Sequence, residues 1–349
     1  MSDAPASGAR GSRKPPRFLI VRLGSLGDII HAIPAAAALR AALPSAQIDW
    51  LVDPRYVELI QLVTAVNHAV PVDPRAGVIR LFATLSELRR RKYKVAIDFQ
   101  GLIKSATMAR MAGAERVLGF PQADLREKAA RAFYTDAPET VRATHVVYKN
   151  LELVSALGLE TGTPEFPLNV PRTRAVEDVE SRTGGAPFAL INPGAAWPNK
   201  QWPPARYGAV AAGIRERFGW PSLVLWGPRE QEIGTAVVAA SKGAAMLAPP
   251  TSIVDLFGIA KAARIAISGD TGPLHIAGAV GTPLVAVFGP TKAERNGPWN
   301  PDDAVVARTH QCECLYQRQC QRAAPCIDEI PFDEVMAAVV QRVGAAGGC

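Results

Sequence analysis

The sequence predicts an α/β protein with two doubly wound parallel sheets. Short, nearly all-apolar runs alternate with helix-length segments, the pattern of strands buried on both faces. The alternation runs once from Phe18 and restarts at Phe188. Between the halves, residues 161–175 (TGTPEFPLNVPRTRA) are rich in proline and polar groups, as a connector would be.

Phe18 to Leu23 reads as the first strand. Gly24-Ser25-Leu26-Gly27-Asp28 is a turn, Ile29 to Leu43 an Ala-rich helix, and Ile48 to Val52 the next strand. This is a βαβ unit. Lys94 to Phe99 is a further strand, and from Gly101 the chain turns into a helix through Met111. The second half opens with a strand over Phe188 to Ile191. A loop at Asn192-Pro193-Gly194 leads to a helix over Ala205 to Phe218. A strand over Ser222 to Trp226 ends in the turn Gly227-Pro228-Arg229-Glu230. Ile265 to Ser268 and Leu284 to Phe288 are buried strands flanking Gly269-Asp270-Thr271-Gly272-Pro273 and a short helix. Pro273 suits the first turn of that helix and Gly281 its end. A helix N-terminus just past a strand is an anion site, and an open α/β sheet holds phosphate there.

At 349 residues the chain is long enough for two domains. No apolar run approaches the roughly 18 residues of a membrane span. Residues 1–16 lack an apolar signal region and read as a disordered tail, so a cytoplasmic protein is expected. Lys and Arg number 39 against 32 Asp and Glu, a net +7. That charge suits nucleic acid, an anionic membrane surface or an acidic substrate. No helix-turn-helix, zinc-finger or RRM-like signature is present, which leaves nucleic acid the weakest of the three. The densest basic run, Arg89-Arg90-Arg91-Lys92-Tyr93-Lys94, reads first as a solvated helix end and second as a membrane-facing patch.

Asp270-Thr271-Gly272-Pro273-Leu274-His275, then Gly281-Thr282-Pro283 and Phe288-Gly289-Pro290-Thr291, resemble the donor-site signature of the ADP-heptose:lipopolysaccharide heptosyltransferases. The resemblance extends over residues 17 to 343. It implies an inverting glycosyltransferase of GT-B architecture, with two Rossmann-like domains facing a central cleft. The expected division is an acceptor-binding domain over 17–170 and a nucleotide-sugar-binding domain over 171–330. A C-terminal helix and tail over 331–349 would cross back to the first domain.

The same resemblance makes Asp28, at the end of the Gly24 to Gly27 turn, the base that takes the acceptor hydroxyl proton. From its type alone, Asp28 equally suits a cap on the helix at Ile29. The turn is not GxGxxG, which argues against a nicotinamide enzyme. Asn192 to Pro203 resembles the loop whose lysine meets the nucleotide diphosphate. Lys200 would there offset charge on departing ADP, or else be a surface lysine. Relatives often carry hydroxyls where this chain has Ala195 and Ala196, so any phosphate contacts there fall to the backbone. No Asp-x-Asp motif is present, so neither metal nor other cofactor is expected.

Trp226 to Glu230 resembles the segment whose glutamate holds the donor ribose. Glu230 is the candidate, with Glu232 as the alternative. Pro249 to Ser252 would border the adenine and cap a helix starting near Ile253. Gly27, Asp270, Thr271, Gly272 and His275 complete the donor set, although a lone His also suits a buried neutral role. Asp98 to Ala106, Arg126 to Tyr134 and His145 resemble acceptor-side motifs of the first heptosyltransferase type. That implies Kdo-lipid A as acceptor, ADP-heptose as donor and peripheral contact with the inner membrane. Lys104, Arg126 and Arg55 would pair with the acceptor's anions, or remain solvated charges.

Rival readings are the second heptosyltransferase type, a family member with another donor or acceptor, a GT-B sugar-nucleotide epimerase and a non-catalytic binding protein. Cys312, Cys314, Cys320 and Cys326 cluster as C-x-C-x5-C-x5-C after His310, which suits a reduced structural loop or a structural metal. Cys349 is expected to be free.

Overall fold

A computed structural model describes residues 15–139 and 141–346. The tail expected over 1–16 lies almost wholly outside the described residues, as does Cys349. The first lobe is a five-stranded sheet of β1 (Arg17–Val21), β2 (Gln47–Val52), β3 (His68–Pro71), β4 (Val95–Asp98) and β5 (Arg116–Gly119). Its order is β3-β2-β1-β4-β5, every pair parallel. Its helices are α1 (Leu26–Ala42), α2 (Val57–Leu62), α3 (Val78–Arg90), α4 (Ile103–Met111) and α5 (Val146–Ser155).

The second lobe is a six-stranded sheet of β6 (Ala189–Asn192), β7 (Ser222–Val224), β8 (Ala245–Leu247), β9 (Ile265–Gly269), β10 (Leu284–Phe288) and β11 (Ala304–Ala307). The order is β11-β10-β9-β6-β7-β8, again all parallel. Helices α6 (Arg174–Thr183), α7 (Pro204–Phe218), α8 (Gln231–Ala240), α9 (Ile253–Ala262), α10 (Gly272–Ala279), α11 (Ala293–Asn296) and α12 (Phe332–Ala346) accompany it. This is the two-domain GT-B arrangement of Rossmann-type sheets facing a cleft.

The central strands are apolar because helices cover both faces. Ile20, Trp50 and Ile97 are at most 1% exposed, as are Ile191, Ile267 and Val287. Each such side chain stabilises the fold by about 1.5–3 kcal/mol. In each sheet the connections reverse direction between two central strands, β1 and β4 in one and β6 and β9 in the other. Ligands of open α/β sheets bind beyond the strand ends at such points.

Two expectations need correction. Helix α1 starts at Leu26, not Ile29, because Ser25 supplies the N-cap position and Asp28 becomes the third helical residue. Asp28 accepts from Ser25 N at 3.1 Å and Ser25 Oγ at 2.8 Å. It supports the helix start from inside the first turn rather than capping it. The C-terminal helix does not cross back. Helix α12 packs on α7, β10 and β11 of the second lobe, with Val335 and Val339 buried in that core. Arg342 of α12 donates to Asp303 at 2.9 Å, just before β11, which fixes the helix there.

Candidate active site

The N-termini of α1 and α10 approach each other from opposite lobes, and glycine permits the approach. A Cβ on Gly27 would lie 2.4 Å from His275 Cδ2. A Cβ on Gly272 would lie 2.5 Å from Leu26 Cδ2. Each helix therefore seats a side chain on the other's glycine. Between them lies a cavity of about 160 Å³. Ser25, Gly27, Asp28 and His31 line it from the first lobe, and Lys200, Asp270, Thr271, Gly272, His275, Arg295 and Asn296 from the second.

Asp28 meets Arg22 Nη2 at 2.7 Å, and its side chain stays 34% exposed. Arg22 is fixed in turn by donating Nη1 to Phe99 O at 2.6 Å. Burial works against the Asp28 charge, but the Arg22 guanidinium and the Ser25 hydrogen bonds outweigh it and hold the carboxyl below its usual range. Asp28 is thus an ionised carboxylate open to the cavity.

Asp270 is built differently. It is only 9% exposed and carries several donors. Lys200 Nζ donates at 2.5 Å, Thr291 Oγ1 at 2.7 Å and Asn296 Nδ2 at 3.1 Å, all to Oδ2. His275 Nε2 faces Oδ1 at 3.6 Å. Burial opposes the Asp270 charge, yet His275 and Lys200 hold its carboxyl far below the usual range. Lys200 also lies over the Trp197 ring at 4.6 Å. Asn192, at the end of β6, donates to Ser268 Oγ at 3.1 Å and Thr271 Oγ1 at 2.9 Å. That amide ties the loops after β6 and β9 together and aims Thr271.

Seven of the residues expected at the site therefore share one cavity: Gly27, Asp28, Lys200, Asp270, Thr271, Gly272 and His275. Glu230 does not line it. Its Oε2 accepts from Gly227 N at 3.1 Å and packs against Gly194, on the loop after β6. Ser252 caps α9 as expected, accepting from Asp255 N at 3.1 Å. Lys104, Arg126 and Arg55 do not line the cavity. Lys104 and Arg126 are exposed on adjoining segments, because Glu127 accepts from Ile103 N at 2.7 Å. Arg55 already forks onto Asp53, at 2.9 and 3.0 Å, which makes it the least available cation of the three.

Four further residues belong to this site that sequence reasoning did not single out. Arg22 was visible as the one charge in the apolar run Phe18 to Leu23. His31, Arg295 and Asn296 carried no local signal. Arg295 is exposed at the cavity and, among the described residues, makes no ion pair with a carboxylate. The cysteines form a separate loop. Cys312 Sγ and Cys314 Sγ are 3.6 Å apart, and Cys314 and Cys326 are buried. Asn199, next to Lys200, holds this loop by donating to Gln317 O at 2.9 Å. Among the described residues no group of three or more His, Cys, Asp or Glu is arranged to hold a metal ion. Nor is any helix long and apolar enough to cross a membrane.

Comparison with known proteins now decides the family. Residues 81–324 match the model of glycosyltransferase family 9 (heptosyltransferase). The chain belongs to that family. Among family 9 relatives, lipopolysaccharide heptosyltransferase 1 of Pseudomonas aeruginosa is 31% identical over 314 residues, 87% of each chain. The Escherichia coli heptosyltransferase WaaC with ADP is 22% identical with a TM-score of 0.70, covering 94% of this chain and 99% of that one. Escherichia coli ADP-heptose lps heptosyltransferase II is 19% identical with a TM-score of 0.77, over 95% of this chain and all of the other. The structural likenesses speak for the fold. The two heptosyltransferase types are not separated by them.

Proposed function

We propose that this family 9 protein transfers L-glycero-D-manno-heptose from ADP-heptose to Kdo of lipid A-Kdo, with inversion and without a metal ion. The observation that carries the reading is one cavity with a half-open carboxylate on one lobe and a lysine–aspartate pair on the other. Asp28 takes the acceptor hydroxyl proton as the oxygen attacks the anomeric carbon. Lys200, held by Asp270, offsets the charge that builds on ADP as the sugar bond breaks. Thr271 and the N–H groups at the start of α10 face the diphosphate, and Arg295 adds a cation with no carboxylate partner. Glu230 accepts from the ribose hydroxyls. Lys104 and Arg126 meet the anions of the acceptor, with Arg55 a weaker third. The residue types and their exposure support these roles, and the names of the relatives support the donor.

A cavity of about 160 Å³ is smaller than the roughly 300–1,000 Å³ of small-molecule sites. It takes the reacting centre, so the lobes part for the nucleotide sugar to enter and close over it. The basic balance of the chain suits a protein working beside an anionic membrane face, where a lipid-borne acceptor lies. The test is ADP release from ADP-heptose, with and without Kdo2-lipid A, for wild type and Asp28→Ala. Acceptor-dependent release that collapses in the variant supports reaction and base together. Release only with an acceptor that already bears heptose moves the protein to the second type. Failure to bind ADP-heptose overturns the donor.

A further inference from the structure

Three histidines from three elements meet at the cavity, and two of them, His31 and His275, line it. His31 belongs to α1, His275 to α10, and His145 precedes α5. His31 and His275 are 2% and 5% exposed. His31 Nε2 lies 3.1 Å from His275 Nδ1, with the ring centroids 4.3 Å apart at 69°. This hydrogen bond joins the two lobes.

Their partners assign the protons. His275 Nε2 faces the Asp270 carboxylate at 3.6 Å, so a proton on that nitrogen is attracted and a lone pair there repelled. His275 Nδ1 is then the acceptor, and His31 Nε2 must be the donor. His31 Nδ1 is left as a bare lone pair, and it has no hydrogen-bond partner among the described residues. The opposite assignment would bury an unsatisfied N–H at that position, the costlier choice. His145 does not compete for these protons. Its Nε2 donates to Gly297 O at 3.0 Å, and its Nδ1 accepts from Val147 N at 3.2 Å.

We propose that His31 is a positioning residue of the first lobe that fixes the tautomer of His275 on the second. The Nε2–H of His275 then points at Asp270, and Asp270 stays ionised against Lys200. The donor half of the site reaches its working hydrogen-bond pattern only when the lobes are together. Closure and readiness of the leaving-group stabiliser are thereby one event. Burial keeps His31 neutral, with His275 and His145 adding to the same effect. Other charges facing the pair are Asp270, Lys200, Arg22 and Arg295. The inference rests on the reading of this cavity as the site of transfer from ADP-heptose.

The test uses nitrogen-15-labelled histidine in the full chain near neutral pH, for wild type, His31→Phe and His31→Gln. Long-range proton–nitrogen spectra report which ring nitrogen of His275 carries the proton. The wild type should show His275 protonated at Nε2 alone. His31→Phe, which keeps bulk without a donor, should show mixed tautomers and a kcat about tenfold lower, the size of one hydrogen bond. The KM for ADP-heptose should change little. His31→Gln, whose amide N–H reaches the same place, should restore the single tautomer and most of kcat. An unchanged His275 tautomer in folded His31→Phe overturns the proposal. So does equal loss of kcat in both variants, which would mark a role in packing alone. Absence of ADP release by the wild type would instead overturn the transfer reading, and the spectra would still judge the tautomer.

Discussion

Asp28 and Asp270 face one cavity from opposite lobes, each beside the N-terminus of a helix that follows a central strand. Their surroundings differ. Asp28 has one cation, Arg22, and a side chain still 34% exposed. The Asp270 side chain is 6% exposed and meets Lys200 as well as the Thr291 hydroxyl and the Asn296 amide. A carboxylate that stays partly open to the cavity can receive a proton from a bound hydroxyl. A buried carboxylate paired with a lysine holds that lysine in place. The lobes thus divide the work by the exposure of two chemically identical groups.

The comparison breaks most visibly at Asp28. Asp28→Asn keeps size and polarity and removes the base. ADP release should fall about 10³-fold, within the usual range for a lost general base. The melting temperature should also fall, because with the amide oxygen on Ser25 the NH2 faces the Arg22 guanidinium, which loses its counter-charge. Retention of more than a tenth of the rate would take the base role away from Asp28.

Lys200→Ala should act on rate and stability together. Loss of a charge that stabilises the leaving group lowers kcat about 10²-fold. Asp270, now without its cation, costs the fold about 2 kcal/mol. ADP release and thermal melting measured on the same preparation check both. A variant that loses rate but melts as wild type would mean that Asp270 does not depend on Lys200 in solution.

Gly27→Ala tests the contact between the lobes. Alanine is the better helix former by about 0.5–1 kcal/mol, but its methyl would press on the buried His275 ring. Overpacking of that kind costs about 1–3 kcal/mol, so net destabilisation and reduced ADP release are expected. An equally active, more stable variant would show that the helix ends stand further apart.

The architecture was legible where strands are buried on both faces. β1, β4, β6, β9 and β10 stand out as apolar runs in the sequence. The peripheral strands did not. β3 is His68-Ala69-Val70-Pro71, and β8 is three residues, too short to show a period. The start of α1 was misread by three residues because Asp28 is as good a cap by type as Ser25. Motif residues around glycine turns were readable because the turn demands them locally. His31 was not, since it sits in an Ala-rich helix that is buried nearly all round and has no polar face for contrast. Its meaning arises from a partner 244 residues away. Arg295 likewise gains a role only once α11 is brought beside the ends of α1 and α10.

Arg295→Ala should sharpen the contrast between a cation that is held and one that is free. Lys200 is bound to Asp270, whereas Arg295 is exposed and without a carboxylate. Its removal should leave melting unchanged and raise the KM for ADP-heptose about tenfold with kcat nearly constant, the pattern of lost ground-state binding. A fall in kcat with constant KM would instead give Arg295 a share of the leaving-group charge.

Acidification should strain the histidine contact before it reaches either aspartate. Asp28 and Asp270 both have folded carboxyl values held below the unfolded value. Their contribution is complete above about pH 4 and is lost only as pH falls from there through the folded values. His31 is also depressed, by burial first and then by its histidine neighbours, but its unfolded reference lies near 6.5. Below about pH 6.5 the unfolded chain binds a proton at this position that the folded chain refuses, so stability declines as pH falls. One such site changes stability by at most about 1.4 kcal/mol per pH unit. Melting temperatures between about pH 7 and pH 5 should therefore fall for the wild type and fall less steeply for His31→Gln. Parallel slopes for the two proteins would mean that His31 takes up its proton in the folded state, and that the contact between the lobes tolerates the charge.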